Sequence, residues 1–257
     1  MSQDPFSRGK ILRTWTFYDK GGSRSSLHEG IEAYMFRYSA DLTEIHPGNV
    51  MGFLCIRGID PDGSTRDFDT YQADLENEIR ENYSSLERED LKKIPQFEIY
   101  GAYYRRFKKT YHLFLQLESI VFKGRSIPPA PPLVRVMFLG EMKNLLLTAV
   151  HDLDRISPPV NIQVSVGGEK YTGLNGKEQV LKKDDMFMSD NVGIISSIIY
   201  GPDNRTAVNE RTRNALFSVY APPGIGRERV EDHLKDMDTM IRMWSPPEIT
   251  SEMIILP

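Results

Sequence analysis

The chain holds a single cysteine, Cys55, among its 257 residues. That excludes an intrachain disulfide and any zinc site built on paired cysteines. Its place inside the apolar run "VMGFLCIRGI" reads as that of a small buried hydrophobe. A continuous apolar run long enough to cross a bilayer is also lacking, and no charged-then-apolar leader stands at the N-terminus. The expectation is a soluble cytoplasmic protein with no membrane partner. Positive charge is not in excess either: the net charge is −4, so any contact with nucleic acid has to come from a local basic patch. Glycine-rich phosphate loops, HExxH helices, G-x-S-x-G elbows and paired-cysteine metal sites are all missing. The common enzyme motifs therefore give no lead, and neither a cofactor nor a metal is expected.

What is present has the length for one large domain or two small ones. Residues 1 to about 30 are polar and include "KGGSRSS", the composition of a flexible extension, and residues 31–257 are taken as a single domain. "NVMGFLCIRGI", bounded by Pro47-Gly48 and "DPDGS", predicts a buried strand. Tyr71, Leu75, Ile79, Tyr83 and Leu86 recur at helical spacing, with Glu76, Glu78, Arg80 and Glu81 expected on a solvated face. In "YGAYYRRFKKTYHLF" the residues Tyr100, Tyr103, Tyr104, Phe107, Tyr111 and Phe114 fall on one helical stripe, and the helix signal continues through "LQLESIVFKG". Arg105, Arg106, Lys108 and Lys109 lie elsewhere around that stripe. They are either a wet face over an aromatic core or a landing strip for a phosphate backbone. Prolines at 128, 129, 131 and 132 stop the helix, which makes 127–132 an internal junction.

Downstream of residue 156, runs of Val, Ile and Tyr alternate with glycine, and Gly167-Gly168 and Asn175-Gly176 are hairpin-type turns. An antiparallel or mixed sheet follows from this. Val230, Leu234, Met237, Ile241 and Trp244 form one apolar stripe on a last helix, from about Gly226 to Trp244, that should dock on the sheet. Helices early, strands late and a closing helix together predict α+β layers.

Two stretches offer chemistry. "HDLDRI", residues 151–156, sets His151 beside Asp152 and Asp154. Neighbouring side chains on an extended segment point apart, which disfavours a metal site. General acid-base work by His151 and a purely structural turn, with an aspartate on backbone amides and Arg155 on a carboxylate, both fit. "YGPDNRTAVNERTRN" reads as a displayed hairpin loop of the kind that carries binding residues.

The order of "HDLDRI", "YTGLNGKEQVLKKDDMFMSD", "VGIISSIIYG" and "AVNERTRNALFSVYAP" resembles the B3/B4 editing module of the β subunit of bacterial phenylalanyl-tRNA synthetase, and still more the free-standing proteins built from that module alone. The resemblance runs from about His46 to Trp244. It implies a tRNA-editing fold in which tyrosine wrongly attached to the phenylalanine tRNA is removed by ester hydrolysis. Such a second sieve is needed because an apolar pocket rejects an added hydroxyl by only about a hundredfold. The family's pocket histidine matches Ala149 and its pocket glutamate matches Ser218, so both are replaced here, while its pocket glycine survives as Gly201 after Tyr200. The family's polar Asp-x-Thr-Asn pattern is replaced by Arg135, Met137 and Phe138.

The resemblance thus implies an altered pocket lined by Met137, Ala149, His151, Tyr200, Gly201 and Ser218, with His151 as the catalytic candidate. Arg105, Arg106, Lys108 and Lys109 would make non-specific phosphate contacts. The expected function is an editing-type domain that acts in trans on an aminoacyl-tRNA. The alternative is a non-catalytic module that kept the fold and binds RNA or an aromatic amino acid.

Overall fold

The apolar run around Cys55 forms a central strand, and the rest of the architecture is built outward from it. The computed structural model describes residues 35–245 and 248–256. The extension expected over residues 1–30 lies outside the described residues.

The chain opens with strand β1 (Phe36–Tyr38) and helix α1 (Ala40–Ile45), then enters β2 (Val50–Arg57). Five helices follow: α2 (Arg66–Tyr83), α3 (Arg88–Leu91), α4 (Pro95–Arg106), α5 (His112–Lys123) and α6 (Pro132–Asn144). The second half supplies β3 (Thr148–Asp152), a 3-10 turn over Leu153–Arg155, β4 (Val160–Val164), β5 (Lys170–Thr172), β6 (Glu178–Val180), β7 (Met186–Ser189), β8 (Ile194–Ser197), β9 (Gly201–Pro202) and β10 (Asn214–Ala221). Helix α7 (Arg227–Arg242) and strand β11 (Thr250–Leu256) close the chain. This is the α+β arrangement that the pattern predicts, with helices in the first half, sheets in the second and a closing helix.

The strands form a four-stranded sheet in the order β11-β2-β10-β3, a five-stranded sheet in the order β1-β4-β7-β8-β9, and the β5-β6 hairpin. The four-stranded sheet is antiparallel throughout, while β1 runs parallel to β4. Register assigns its faces. Phe53 of β2 stacks on Phe36 of β1 with ring centroids 4.2 Å apart, so the Phe53 side looks toward the other sheet. Ser218 is aligned with Phe53 and with Ala149, and Leu216 with Cys55 and His151. Aligned residues share a face, which places Ala149, His151, Leu216, Ser218 and, by alternation, Tyr220 on this inner side.

The outer face carries α7. Val230, Leu234, Met237 and Ile241 are fully buried there, each contributing about 1.5–3 kcal/mol of apolar burial. Gly52 and Gly140 permit this approach. A Cβ at Gly52 would overlap Val230, and one at Gly140 would press on Met237 and His233. Helix α6 packs on α7, α2 and α5, completing the helical layer.

Two readings of the helical half change. The aromatic segment is two helices rather than one: α4 ends at Arg106, Lys108 takes a left-handed conformation (φ 58°), and the Lys109 amide donates to the Tyr104 carbonyl. This is a left-handed helix ending made without glycine, so the sequence carries no breaker there. All six aromatics are nevertheless buried, and the rings of Tyr100 and Tyr111 stack 4.5 Å apart across the break. Glu76, expected on the wet face of α2, is buried. It accepts from Gln72, Arg80 and the Ile127 amide, so it anchors the proline-rich junction to α2. Burial pushes its carboxyl up, but these bonds outweigh that and hold it below the usual glutamate value.

Candidate functional site

The acidic groups of "HDLDRI" are engaged in holding the loop between β9 and β10. Asp152 accepts the Asp154 amide at 3.1 Å, setting the 3-10 turn, and its other oxygen accepts the Thr212 hydroxyl at 2.9 Å. Asp154 accepts the Asn214 side chain at 2.9 Å. Arg155 lies 3.6 Å from Asp152, and Arg205 donates to the Arg155 carbonyl and to Asp190. The loop read as a displayed hairpin is therefore clipped down onto the end of β3. No group of three or more His, Cys, Asp or Glu side chains among the described residues is placed to hold a metal ion.

His151 behaves differently from its neighbours. It is fully buried on the inner face, with Nδ1 2.7 Å from the Thr206 hydroxyl oxygen. The Thr206 hydroxyl donates to Asp203 in a short bond, so its oxygen is left to accept. The proton of the imidazole therefore sits on Nδ1, and Nε2 is an unprotonated acceptor with no partner. Burial, assisted by Arg205, pushes the ring's pKa down to about 3 against a weak opposing pull from Asp190. The ring is neutral at physiological pH and is a poor base.

On the same face, the hydroxyls of Ser218, Tyr220 and the facing Ser196 of β8 are fully buried. Burial drives the Tyr220 pKa far up, and the neighbouring Ser196 and Ser218 hydroxyls pull it back. Yet none of the three oxygens makes a hydrogen bond of good geometry. The three hydroxyls lie close enough to act on one another but are poorly paired, a deficit that folded proteins seldom carry without a reason.

Beside this cluster lies Asp185, a residue the sequence reading did not single out. It is fully buried and accepts the Tyr103 hydroxyl at 2.8 Å. Burial pushes its carboxyl up to about 7, although Tyr103, Ser197, the Ile199 amide and Arg106 all pull it down. Tyr171 donates to the Gly201 carbonyl at 2.6 Å on the same side. In sequence Asp185 is the second of two aspartates after two lysines, a pattern indistinguishable from a solvated charge run.

The other expected site residues distribute as follows. Ala149 pairs directly opposite Ser218. Gly201 opens β9 with φ 76°, a conformation that suits glycine, and Tyr200 before it is half-buried. Met137 is half-buried on α6 and packs against the core. Arg105, Arg106, Lys108 and Lys109 are all exposed at the end of α4. Arg106 lies over the rings of Tyr103 and Phe107, and Lys109 stands 5.0 Å over the Tyr200 ring. Lys182 donates to the Phe107 carbonyl at 2.9 Å and so joins the basic group. The aromatic core and the basic surface coexist, and Lys109 ties that surface to the residue preceding Gly201.

Comparison with known proteins comes to the same region. The family described as "B3/4 domain" matches residues 141–236, the span from the end of α6 into α7. The phenylalanine–tRNA ligase β subunit of Corynebacterium jeikeium (strain K411) is 30% identical over 107 residues, which are 41% of this chain and 12% of that protein. The chain thus spans about an eighth of that relative's length. Among solved structures, an N-terminal fragment of the phenylalanyl-tRNA synthetase β subunit from Pyrococcus horikoshii aligns with 87% of this chain and 54% of its own, at 14% identity and a TM-score of 0.44.

Proposed function

From the premise that residues 141–236 form a B3/4 domain related to one in phenylalanyl-tRNA synthetase β subunits, we propose that the chain binds the aminoacylated end of a tRNA. The amino acid enters between the two sheets, and the exposed Arg105, Arg106, Lys108 and Lys109 hold phosphates outside. The observation that carries this reading is the set of fully buried, poorly paired hydroxyls of Ser196, Ser218 and Tyr220 with the free Nε2 of His151 on the same inner face. A ligand presenting complementary polar groups would complete those bonds. In this reading His151 orients the ligand through Nε2 and Ser218 holds its polar group.

Ester hydrolysis is a second reading, and Asp185 favours it. A buried carboxyl pushed up to about 7 is tuned for proton transfer near neutrality, where His151 is not. The ribose hydroxyl next to the ester carries part of the proton traffic in that version.

The test is a panel of misacylated tRNAs, tyrosyl-tRNA(Phe) first, assayed for binding and for deacylation with the wild type, His151→Ala, Ser218→Ala and Asp185→Asn. Binding that weakens in the first two variants supports recognition. Deacylation that falls in Asp185→Asn while binding persists supports the hydrolytic reading. A chain that binds no aminoacyl-tRNA more tightly than the uncharged tRNA sinks both readings.

A further inference from the structure

A cavity of about 450 Å³ opens on the surface where α1, α4 and the turn from β10 to α7 meet. Its floor is one stripe of α4: Glu98, Ala102 and Arg106, spaced i, i+4, i+8. Eight residues of helix set the two charged positions about 12 Å apart, too far for them to pair with each other. Neither makes a salt bridge among the described residues, and Arg106, whose charge also reaches the buried Asp185, lies over the Tyr103 and Phe107 rings. Between them Ala102 leaves an apolar gap, walled by the Tyr103 ring and by Pro222 and Pro223. His46 adds no cation to the Arg106 end: its Nε2–H donates to the Asp184 carbonyl at 3.0 Å, and burial lowers its pKa.

We propose that this cavity binds a short zwitterionic peptide of two or three residues with apolar side chains, its amino end at Glu98 and its carboxylate at Arg106. The charges at the two ends of the cavity are opposite, and the lining between them is apolar. An extended chain covers about 3.3–3.6 Å per residue, so two or three residues plus the reach of the glutamate and arginine side chains match the separation. A free amino acid carries its two charges too close together to engage both ends, and a longer chain engages only one. The volume is that of a small-ligand site, and an arginine meets a carboxylate through two parallel hydrogen bonds.

The experiment is calorimetric titration of the whole chain with the tripeptide Ala-Leu-Ala in its free, N-acetylated and C-amidated forms, and with leucine. Arg106 also belongs to the basic stretch assigned to tRNA, so the variants are Glu98→Gln and Ala102→Leu. Both sites are exposed helical positions that accept these residues. The free tripeptide is expected to saturate the site at submillimolar concentration, and each blocked form to bind about tenfold more weakly. Glu98→Gln should weaken the free form about tenfold and leave the N-acetylated form unchanged, and Ala102→Leu should abolish binding by filling the floor. Absence of saturable binding by the free tripeptide, equal binding of the three forms, or leucine binding as tightly as the tripeptide would overturn the proposal.

Discussion

Glu141 offers a quantitative test of the packing around the helical layer. It stands on the last turn of α6 and is 1% exposed. One carboxylate oxygen accepts the Thr148 amide at 2.9 Å, and the other has no partner. Burial pushes the carboxyl from its ordinary 4.5 up to about 8, with the Thr148 bond only partly opposing it. The native protein therefore keeps a proton that the unfolded chain releases above about pH 4.5. Between those two values the unfolded state binds fewer protons, so stability falls as pH rises, by about 1.4 kcal/mol per unit. The loss reaches about 3 kcal/mol at neutral pH.

Glu141→Gln is neutral at every pH and keeps the oxygen that accepts the Thr148 amide. Its NH2 replaces the carboxylic O–H at the unpartnered position. The variant should match the wild type to within about 1 kcal/mol near pH 5 and exceed it by about 3 kcal/mol near pH 7. Urea unfolding of both proteins across this range, with equal m-values as the check, measures the difference. Asp185, also pushed upward, tilts both curves alike and cancels. Parallel curves, or a variant less stable at neutral pH, would mean that Glu141 is ionised in the fold, and the argument from burial would be wrong.

Three other outcomes are expected. Neutralising Arg105, Arg106, Lys108 and Lys109 together should weaken tRNA binding and flatten its dependence on salt by a slope of up to about 3 in log–log units; an unchanged slope removes the basic stretch from the interface. Gly52→Ala should destabilise the fold by about 1–3 kcal/mol, measured by denaturant unfolding, because the methyl group meets Val230 of α7 with no room to move. Burial lowers the pKa of His151 to about 3 and that of His233 to about 4, so the unfolded chain gains protons below about pH 6.5 that the fold refuses. The contribution of these two histidines should therefore fall as pH drops from about 6 toward 4, against the gain that Glu141 and Asp185 give over the same range, and His233→Gln should raise stability relative to the wild type at the acid end in urea unfolding, unless His233 is charged in the native state.

Local pattern alone accounts for much of the fold. The run around Cys55 is β2, the spacing from Tyr71 to Tyr83 is α2, Asn175-Gly176 turns the β5-β6 hairpin, and the apolar stripe from Val230 to Ile241 is the face of α7. In each case a periodicity of two or 3.6 residues coincides with burial on one side, so sequence and packing say the same thing. The strand β11 was not read from sequence, and the break after Arg106 was concealed by a continuous aromatic period with no glycine or proline to interrupt it.

The candidate site was legible only in part. The family resemblance pointed to His151, Ala149, Gly201 and Ser218, but residue types do not reveal which hydroxyls end poorly paired. Ser196, Tyr220 and Asp185 come from separate stretches of chain, and nothing near any of them in sequence differs from an ordinary strand or charge run.

By itself the sequence determined the elements and their apolar faces, because those depend on residues a few positions apart. Tertiary structure alone decided that Glu76, Glu141 and Asp185 are buried, that His151 keeps its proton on Nδ1, and that three poorly paired hydroxyls meet between two sheets. Desolvation and hydrogen-bond partnership are set by groups distant in the chain and brought together by packing, and they determine what a polar side chain can do.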